Sequence, residues 1–261
     1  MTGSSIQSAI QSAIVIGAGS GIGRSTALAL AATGARVHAV GRHAAPLERV
    51  REDATGLGAD PGAVHVSALD ATDGPAMDRL IREVDPDLVV VSAGARARLA
   101  LVHEQTWDSF SEPWNTDVKM SFQIGQSALR KPLRPGSRVI IVSSGAGLGG
   151  SPLSGGYAGA KRMQMFLAGY LQRSADAARL GIRFVAVVPK QLLTGTELGT
   201  KAADAYAALA GVTREKYMER FPVPLGADGV AQAIVKIAHG EVAREASIIG
   251  VSGAAGIEAL S

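Results

Sequence analysis

The sequence predicts an α/β fold, a doubly wound domain whose central parallel sheet of about seven strands carries helices on both faces. Three observations support this. Short apolar runs alternate with helical stretches along the chain, as they do when parallel strands are joined by crossover helices. The runs at 87–91 and 139–142 are almost continuously apolar, as strands buried on both faces should be. A glycine-rich turn, Gly17-Ala-Gly-Ser-Gly-Ile-Gly23, separates the first apolar run from the first helical stretch.

In order along the chain, residues 1–11 read as a loose polar leader, and Ala13–Ile16 as the first strand. The glycine turn follows, then an Ala/Leu-rich helix to Thr33 that Gly34 closes. Glycines allow positive φ and close backbone approach to a phosphate, while a helix N-terminus offers N–H groups and partial positive charge. The spacing is Gly-x-x-x-Gly-x-Gly, from Gly17, Gly21 and Gly23; a plain flexible turn is the competing reading. Arg36–Val40 is the second strand, ending at Gly41-Arg42-His43. No acidic residue occurs between Gly23 and Glu48 to hold a ribose 2′-hydroxyl. Arg42 stands there instead, as a grip for a 2′-phosphate or as a solvated loop arginine.

Ala63–Ala68 is the third strand, with Asp70 placed either near an adenine or as a helix cap, and Asp73 a second cap before Met77–Val84. The fourth strand, at 87–91, runs into Ser92-Ala93-Gly94, small residues that admit a cofactor. Arg96 and Arg98 suit the surface better than an anionic end of a pocket. A long helix is expected over Phe110–Leu129, with Pro113 in its first turn. Arg138–Ser144 is strand five, Gly155–Leu180 a helix ended by Gly181, and Ile182–Val188 strand six. No internal repeat or linker splits the chain, so residues 1–261 are expected to form a single domain.

The chemistry concentrates at Ser144, Tyr157 and Lys161. Residues four apart share a helix face, so the Tyr157 phenol and the Lys161 ammonium can enter one site. An ammonium close by stabilises a phenolate, which makes Tyr157 a candidate general acid or base. Ser144, at the carboxyl end of a strand, can donate to a substrate oxygen. Taken alone, a Tyr-x-x-x-Lys pair is more often a solvated helix face.

Composition narrows the partners. The 26 basic and 23 acidic residues give a formal charge of +3, and they are interspersed without a basic tract. Nucleic acid is therefore not an expected partner. Cysteine is absent, and the five histidines form no ligand cluster, so no disulfide, thiolate or metal site is expected. No apolar run reaches the roughly 20 residues of a membrane span, and the opening residues do not resemble a secretory signal. A cytoplasmic protein is expected.

With these motifs at strand ends, the chain resembles the short-chain dehydrogenase/reductase family, single-domain Rossmann-type oxidoreductases, from the glycine motif to about Gly253. The family's glycine motif appears as Gly17, Gly21 and Gly23, with Ile16 where threonine is usual, and its Asn-Asn-Ala-Gly motif is reduced to Val91-Ser92-Ala93-Gly94. Its serine, tyrosine and lysine fall on Ser144, Tyr157 and Lys161; Ser144 rather than Ser143 has the spacing to Tyr157. Its Pro-Gly segment becomes Pro189-Lys190, with Thr194 at a cofactor-contacting position. The family's active-site asparagine aligns with Asp117, with Asn115 the alternative; an Asp there would pair with Lys161 and alter the proton path, or be an inconsequential polar helix residue.

The resemblance implies reversible hydride transfer between NADP(H), less readily NAD(H), and a carbonyl or secondary alcohol of a small, mainly apolar substrate. Ser144 would orient the oxygen, Tyr157 would exchange the proton, and Lys161 would steady the phenolate and contact the ribose. Asp117 completes the catalytic set. Cofactor contacts fall on Gly17, Ser20, Gly21, Ile22, Gly23, Arg42, Asp70, Ala93, Gly94, Tyr157, Lys161, Pro189 and Thr194. Residues 191–226 would form a mobile lid, whose Leu192, Leu193, Leu198, Tyr206, Tyr217, Met218 and Phe221 suggest an apolar pocket wall. Met163, Phe166, Leu167, Tyr170 and Leu171 are expected to leave apolar surface for a homodimer or homotetramer. Two other readings stay open: a redox-neutral cyclase, dehydratase or epimerase using Tyr157 and Asp117, and an NADP(H)-binding sensor or scaffold without turnover.

Overall fold

The computed structural model describes residues 10–96, 98–242 and 245–260, so most of the expected polar leader lies outside the described residues. Ten strands are β1 (Ser12–Ile16), β2 (Arg36–Gly41), β3 (Val64–Ala68), β4 (Leu88–Val91), β5 (Arg138–Val142), β6 (Arg183–Pro189), β7 (Leu193–Thr194), β8 (Leu225–Gly226), β9 (Ile248–Ser252) and β10 (Gly256–Ala259). Eight of them form one sheet in the order β10-β9-β6-β5-β4-β1-β2-β3. All pairings in it are parallel except β9 with β10. The expected seven parallel strands thus gain one short antiparallel edge strand after a turn at Gly256, where φ is +66°.

Alternate residues of each strand serve opposite faces. Ala13 and Val15 join the core under α1 (Gly21–Ala32), α2 (Ala44–Gly56) and α10 (Ala227–Ala238). Ile14 and Ile16 join the core under α3 (Gly74–Val84), α5 (Lys119–Arg130) and α7 (Gly155–Ala177). Two-sided burial is what makes these runs continuously apolar. The remaining helices are α4 (Trp107–Pro113), α6 (Ala146–Gly149), α8 (Glu197–Ala210) and α9 (Arg214–Met218). Among the described residues, no helix is long and apolar enough to cross a membrane.

Strand order reverses between β1 and β4, and in open α/β sheets the crevice at such a reversal takes ligands. The two strand ends meet closely here. A Cβ on Gly17 would lie 2.6 Å from the Ala93 nitrogen. Gly17 also has φ of +85°, so both space and backbone require glycine.

The structure differs from the sequence reading at three places, the first a helix on which that reading was silent. α2 carries only Leu47, Val50 and Ala54 as buried residues among charged ones, a stripe too thin to stand out in the sequence. The helix expected over Phe110–Leu129 starts at Trp107, where Thr106 caps it by accepting from Ser109 N. Pro113 stands at the end of α4 rather than in a first turn, because a proline without an N–H closes a stretch of ladder. A π-helical turn, Trp114–Val118, follows before α5, with Lys119 N donating to Trp114 O. The third correction concerns α7. Leu167 and Leu171 are buried, because Leu171 fills the groove left by the missing side chain of Gly125, and Leu167 packs with Val118 and Ala160. Phe166 and Tyr170 remain exposed and stack on each other at 5.9 Å.

Candidate active site

The glycine turn between β1 and α1 is built from backbone contacts. Gly17 N and Ala18 N donate to Val40 O at 2.8 and 3.1 Å, tying the turn to β2. A Cβ on Gly23 would meet Gly17 O at 2.2 Å, so the helix start is packed against the turn. Ser20 occupies the N-cap of α1 without a side-chain cap, which leaves the first amides unmet by any hydroxyl. Gly21 has φ of +51° with open space where a Cβ would stand, and Ile22 lines the adjoining cavity. Arg42 is exposed just beyond β2. Asp70, beyond β3, accepts from Thr72 N and Thr72 Oγ1 at 2.9 and 2.8 Å. Those bonds, first the backbone one, hold its carboxyl below the usual range, and the charges of Arg42 and Lys119 act in the same direction. Asp70 thus shapes the strand-end turn, while Asp73 caps α3 through Ala76 N at 3.0 Å.

α7 carries the Tyr–Lys pair. Its start fits against α4 only because Gly156 has no side chain: a Cβ there would lie 1.7 Å from Phe110 O. One turn separates Tyr157 from Lys161, and the ammonium sits 5.4 Å from the phenol ring centroid. Lys161 is buried, with Nζ 3.0 Å from Asp117 Oδ2. It also donates to Gln164 Oε1 at 3.0 Å and to Val142 O at 3.3 Å. Two hydrogen bonds and one ion pair thus surround the ammonium within the protein. Asp117 is fully buried in the π-turn, and its Oδ1 accepts from Ala95 N at 2.7 Å. Asn115, the alternative, lies exposed on the same turn. Gln164 Nε2 completes the cluster through Ser121 Oγ at 2.9 Å and Asp117 O at 3.3 Å.

The two serines, both at the cavity's edge, differ in burial and partner. Ser143 is buried and donates to Lys161 O at 2.7 Å. Ser144 is half-buried, accepts from Ala146 N at 3.2 Å and faces a cavity of about 510 Å³ together with Tyr157 and Pro189. The wall opposite comes from 191–226: Leu192, Leu193, Leu198, Tyr206, Tyr217 and Phe221 all line it. Met218 and Thr194 are not in that wall; Thr194 pairs within the β7–β8 ladder, its hydroxyl donating to Leu225 O at 3.4 Å. Arg96 and Arg98 are exposed. No cluster of three or more His, Asp or Glu able to hold a metal ion occurs among the described residues. Sequence reasoning did not single out Gln164, although its place three residues beyond Lys161 on one helix face is a usable signal. It also passed over Ser151, which is hydrogen-bonded to the Tyr206 hydroxyl, and Arg220.

Burial opposes the charge on Lys161, but the Asp117 carboxylate and then Tyr157 outweigh it, and the lysine ends above its ordinary value. A base raised on folding adds stability that is complete below the unfolded value of 10.5 and is lost as pH rises through the folded value. Asp117→Leu would leave a buried ammonium facing carbon, and should cost about 3–5 kcal/mol at neutral pH. Asp117→Asn keeps an acceptor but lets burial dominate, so its deficit should be smaller. Both deficits should narrow as pH rises toward 10, because a neutral lysine is no longer penalised. Urea melts at a series of pH values read this directly, and a pH-independent deficit would contradict the pairing.

A family model described as short chain dehydrogenase matches residues 11–205. Among curated proteins, the chain is 34% identical over 131 residues to L-xylulose reductase of Mesocricetus auratus, covering 50% of this chain and 51% of that one. It is 32% identical over 197 residues to (3R)-3-hydroxyacyl-CoA dehydrogenase of Rattus norvegicus, covering 70% and 74%. The alignment to the first spans about half that protein's length. The solved structure of a single-residue variant of actinorhodin polyketide ketoreductase with NADPH superposes with a TM-score of 0.79 at 20% identity, over 94% of this chain and 96% of that one, a likeness of fold. With the sheet order, the glycine turn and a family match that runs from β1 into α8, the chain belongs to the short-chain dehydrogenase family.

Proposed function

We propose that this protein is an NADP(H)-dependent oxidoreductase that interconverts a carbonyl and a secondary alcohol on a small, mainly apolar substrate. The observation that carries the reading is that the hydroxyl-bearing residues Ser144 and Tyr157 line one largely apolar cavity while the Lys161 ammonium sits buried behind the phenol. Residues 1–261 are assigned to one cofactor-binding and catalytic unit, with 191–226 closing over the cavity.

The residues present fit a dinucleotide. The N-terminus of α1 has no side-chain cap, Gly21 leaves space beside it, and Arg42 stands at the end of β2. Backbone amides at 20–23 would hold the pyrophosphate, Arg42 a 2′-phosphate, and Ala93, Gly94 and Pro189 would bound the far side of the crevice. When bound, the nicotinamide supplies or accepts the hydride. Ser144 donates its hydroxyl hydrogen to the substrate oxygen and fixes its direction. The Tyr157 hydroxyl passes its proton to that oxygen in reduction and takes it back in oxidation. The fixed charge on Lys161 favours the negative charge left on the phenol oxygen, and needs no reorganisation to do so. Leu198 and Phe221 line the same cavity and would limit water at the reacting carbon once 191–226 closes. A redox-neutral use of Asp117 as base finds no support, since that carboxylate is fully buried against Lys161 and no Asp or Glu is among the described residues lining the cavity.

Tyr157→Phe keeps the ring and removes the proton donor. NADPH-coupled turnover should fall by roughly 10²–10⁴, with NADPH affinity and melting temperature near those of the parent. Parent-like turnover would overturn the assignment. Arg42→Ala should weaken NADPH binding by roughly 10- to 100-fold and leave NADH binding nearly unchanged; equal weakening of both would make the arginine structural. We assign the exposed apolar face of α7 and the π-turn, with Phe166, Tyr170 and Trp114 at 55%, 51% and 40% exposure, to a contact between copies. Sedimentation at micromolar concentration should show a dimer or tetramer that Phe166→Glu dissociates, and a monomer alone would refute it.

A further inference from the structure

The cavity over Ser144 and Tyr157 is apolar in its walls but positive in its charged groups. Among the described residues that line it are two cations, Lys190 and Arg220, and no carboxylate. Lys190 is already neutralised, its Nζ 2.5 Å from Glu258 Oε1. Arg220 makes no ion pair among the described residues. Its guanidinium carbon instead lies 3.9 Å from the centroid of the Tyr217 ring.

That stack is anchored at its other end. The Tyr217 ring lies over the Tyr206 ring, centroids 5.9 Å apart and planes 13° from parallel. The Tyr206 hydroxyl is hydrogen-bonded to Ser151 Oγ, in the loop that leads into α7. The series Ser151, Tyr206, Tyr217, Arg220 therefore runs from the loop between Ser144 and Tyr157 out to an exposed guanidinium. Stacking on a ring uses the face of a guanidinium and leaves the in-plane N–H groups at its edge free to donate. An anion that stops at an exposed position keeps part of its hydration, while the apolar body beyond it is desolvated.

We infer that the substrate is an amphipathic keto acid, or the matching hydroxy acid. Its carbonyl or alcohol carbon lies at Ser144 and Tyr157, its apolar or aromatic body lies along the tyrosine and leucine wall, and its carboxylate is held by Arg220. Which end reacts rests on the oxidoreductase reading above; the carboxylate contact does not.

The test is calorimetric binding of ω-oxo-ω-phenylalkanoates with two to six methylenes, each beside its methyl ester, to the full chain, Arg220→Met and Arg220→Lys. At the chain length that spans the cavity, the acid should bind the parent about tenfold tighter than its ester, as expected for a charge-assisted fork contact. Arg220→Met should remove that preference by weakening the acid alone, and Arg220→Lys should keep part of it. Equal binding of acid and ester at every length, no binding of either, or a preference that survives Arg220→Met would overturn the inference. So would a parallel loss for acid and ester in Arg220→Met, which marks the arginine as packing for Tyr217. NADPH oxidation with the same ketones is read separately. Acid-selective binding without NADPH oxidation by any of the ketones would retain the carboxylate site and remove the reductase reading.

Discussion

The buried contact between Lys161 and Asp117 is the constraint around which the rest of the site is arranged. A charged amine out of water costs several kcal/mol unless every donor is met, and here the acceptors come from three separate elements. Asp117 is supplied by the π-turn, Val142 by the end of β5 and Gln164 by α7 itself. The three must hold one relative position for the ammonium to be tolerated at all. Tyr157 inherits its place from that arrangement, being one turn from Lys161 on the same helix, and Ser144 inherits its place from β5. The geometry of the open cavity is thus fixed by a closed cluster behind it.

The same cluster explains why the segment before α5 is irregular. A regular helix through Pro113 would carry its residues around at the usual 100° per position. The π-turn inserts an extra residue in the ladder and turns Asp117 inward, with Ser121 Oγ donating to its carbonyl at 2.7 Å. Irregular turns of this type commonly occur at functional positions, where a side chain has to be re-aimed.

Much of the sheet was legible in the sequence because its central strands, β1, β4, β5 and β6, are buried on both faces and apolar beyond their first residues. Val89 and Ile140 are examples, and their neighbours Val90 and Ile141 face the opposite layer. Tyr157 and Lys161 followed from spacing along one helix, and the choice of Ser144 over Ser143 from the spacing that the family resemblance implies. Part of what the sequence concealed depended on contacts between distant segments. Leu171 looks like a surface residue until Gly125, on another helix, is seen to make room for it. Asp70 reads equally as a helix cap until Asp73 is seen to cap α3 while Thr72 donates twice to Asp70 Oδ1. Gln164 is an ordinary helix glutamine unless the lysine before it is known to be buried. Arg220 gives no signal, because nothing in the sequence marks a single arginine just past α9, three residues after Tyr217, as bordering the cavity.

Gly94 carries one more implication. A Cβ there would fall 2.8 Å from Asp117 Oδ2, so the bare backbone at the end of β4 is required by the carboxylate behind it and not only by whatever occupies the crevice in front. The identities of these two positions are therefore contingent on one another. Drift at 94 toward even alanine is closed while an acid at 117 grips the lysine, and a longer acid at 117 is closed while the strand end stays where it is. In mutational terms the order is set: position 117 can change first, as Asp117→Asn does without adding atoms, whereas a side chain at 94 must wait for a smaller residue at 117.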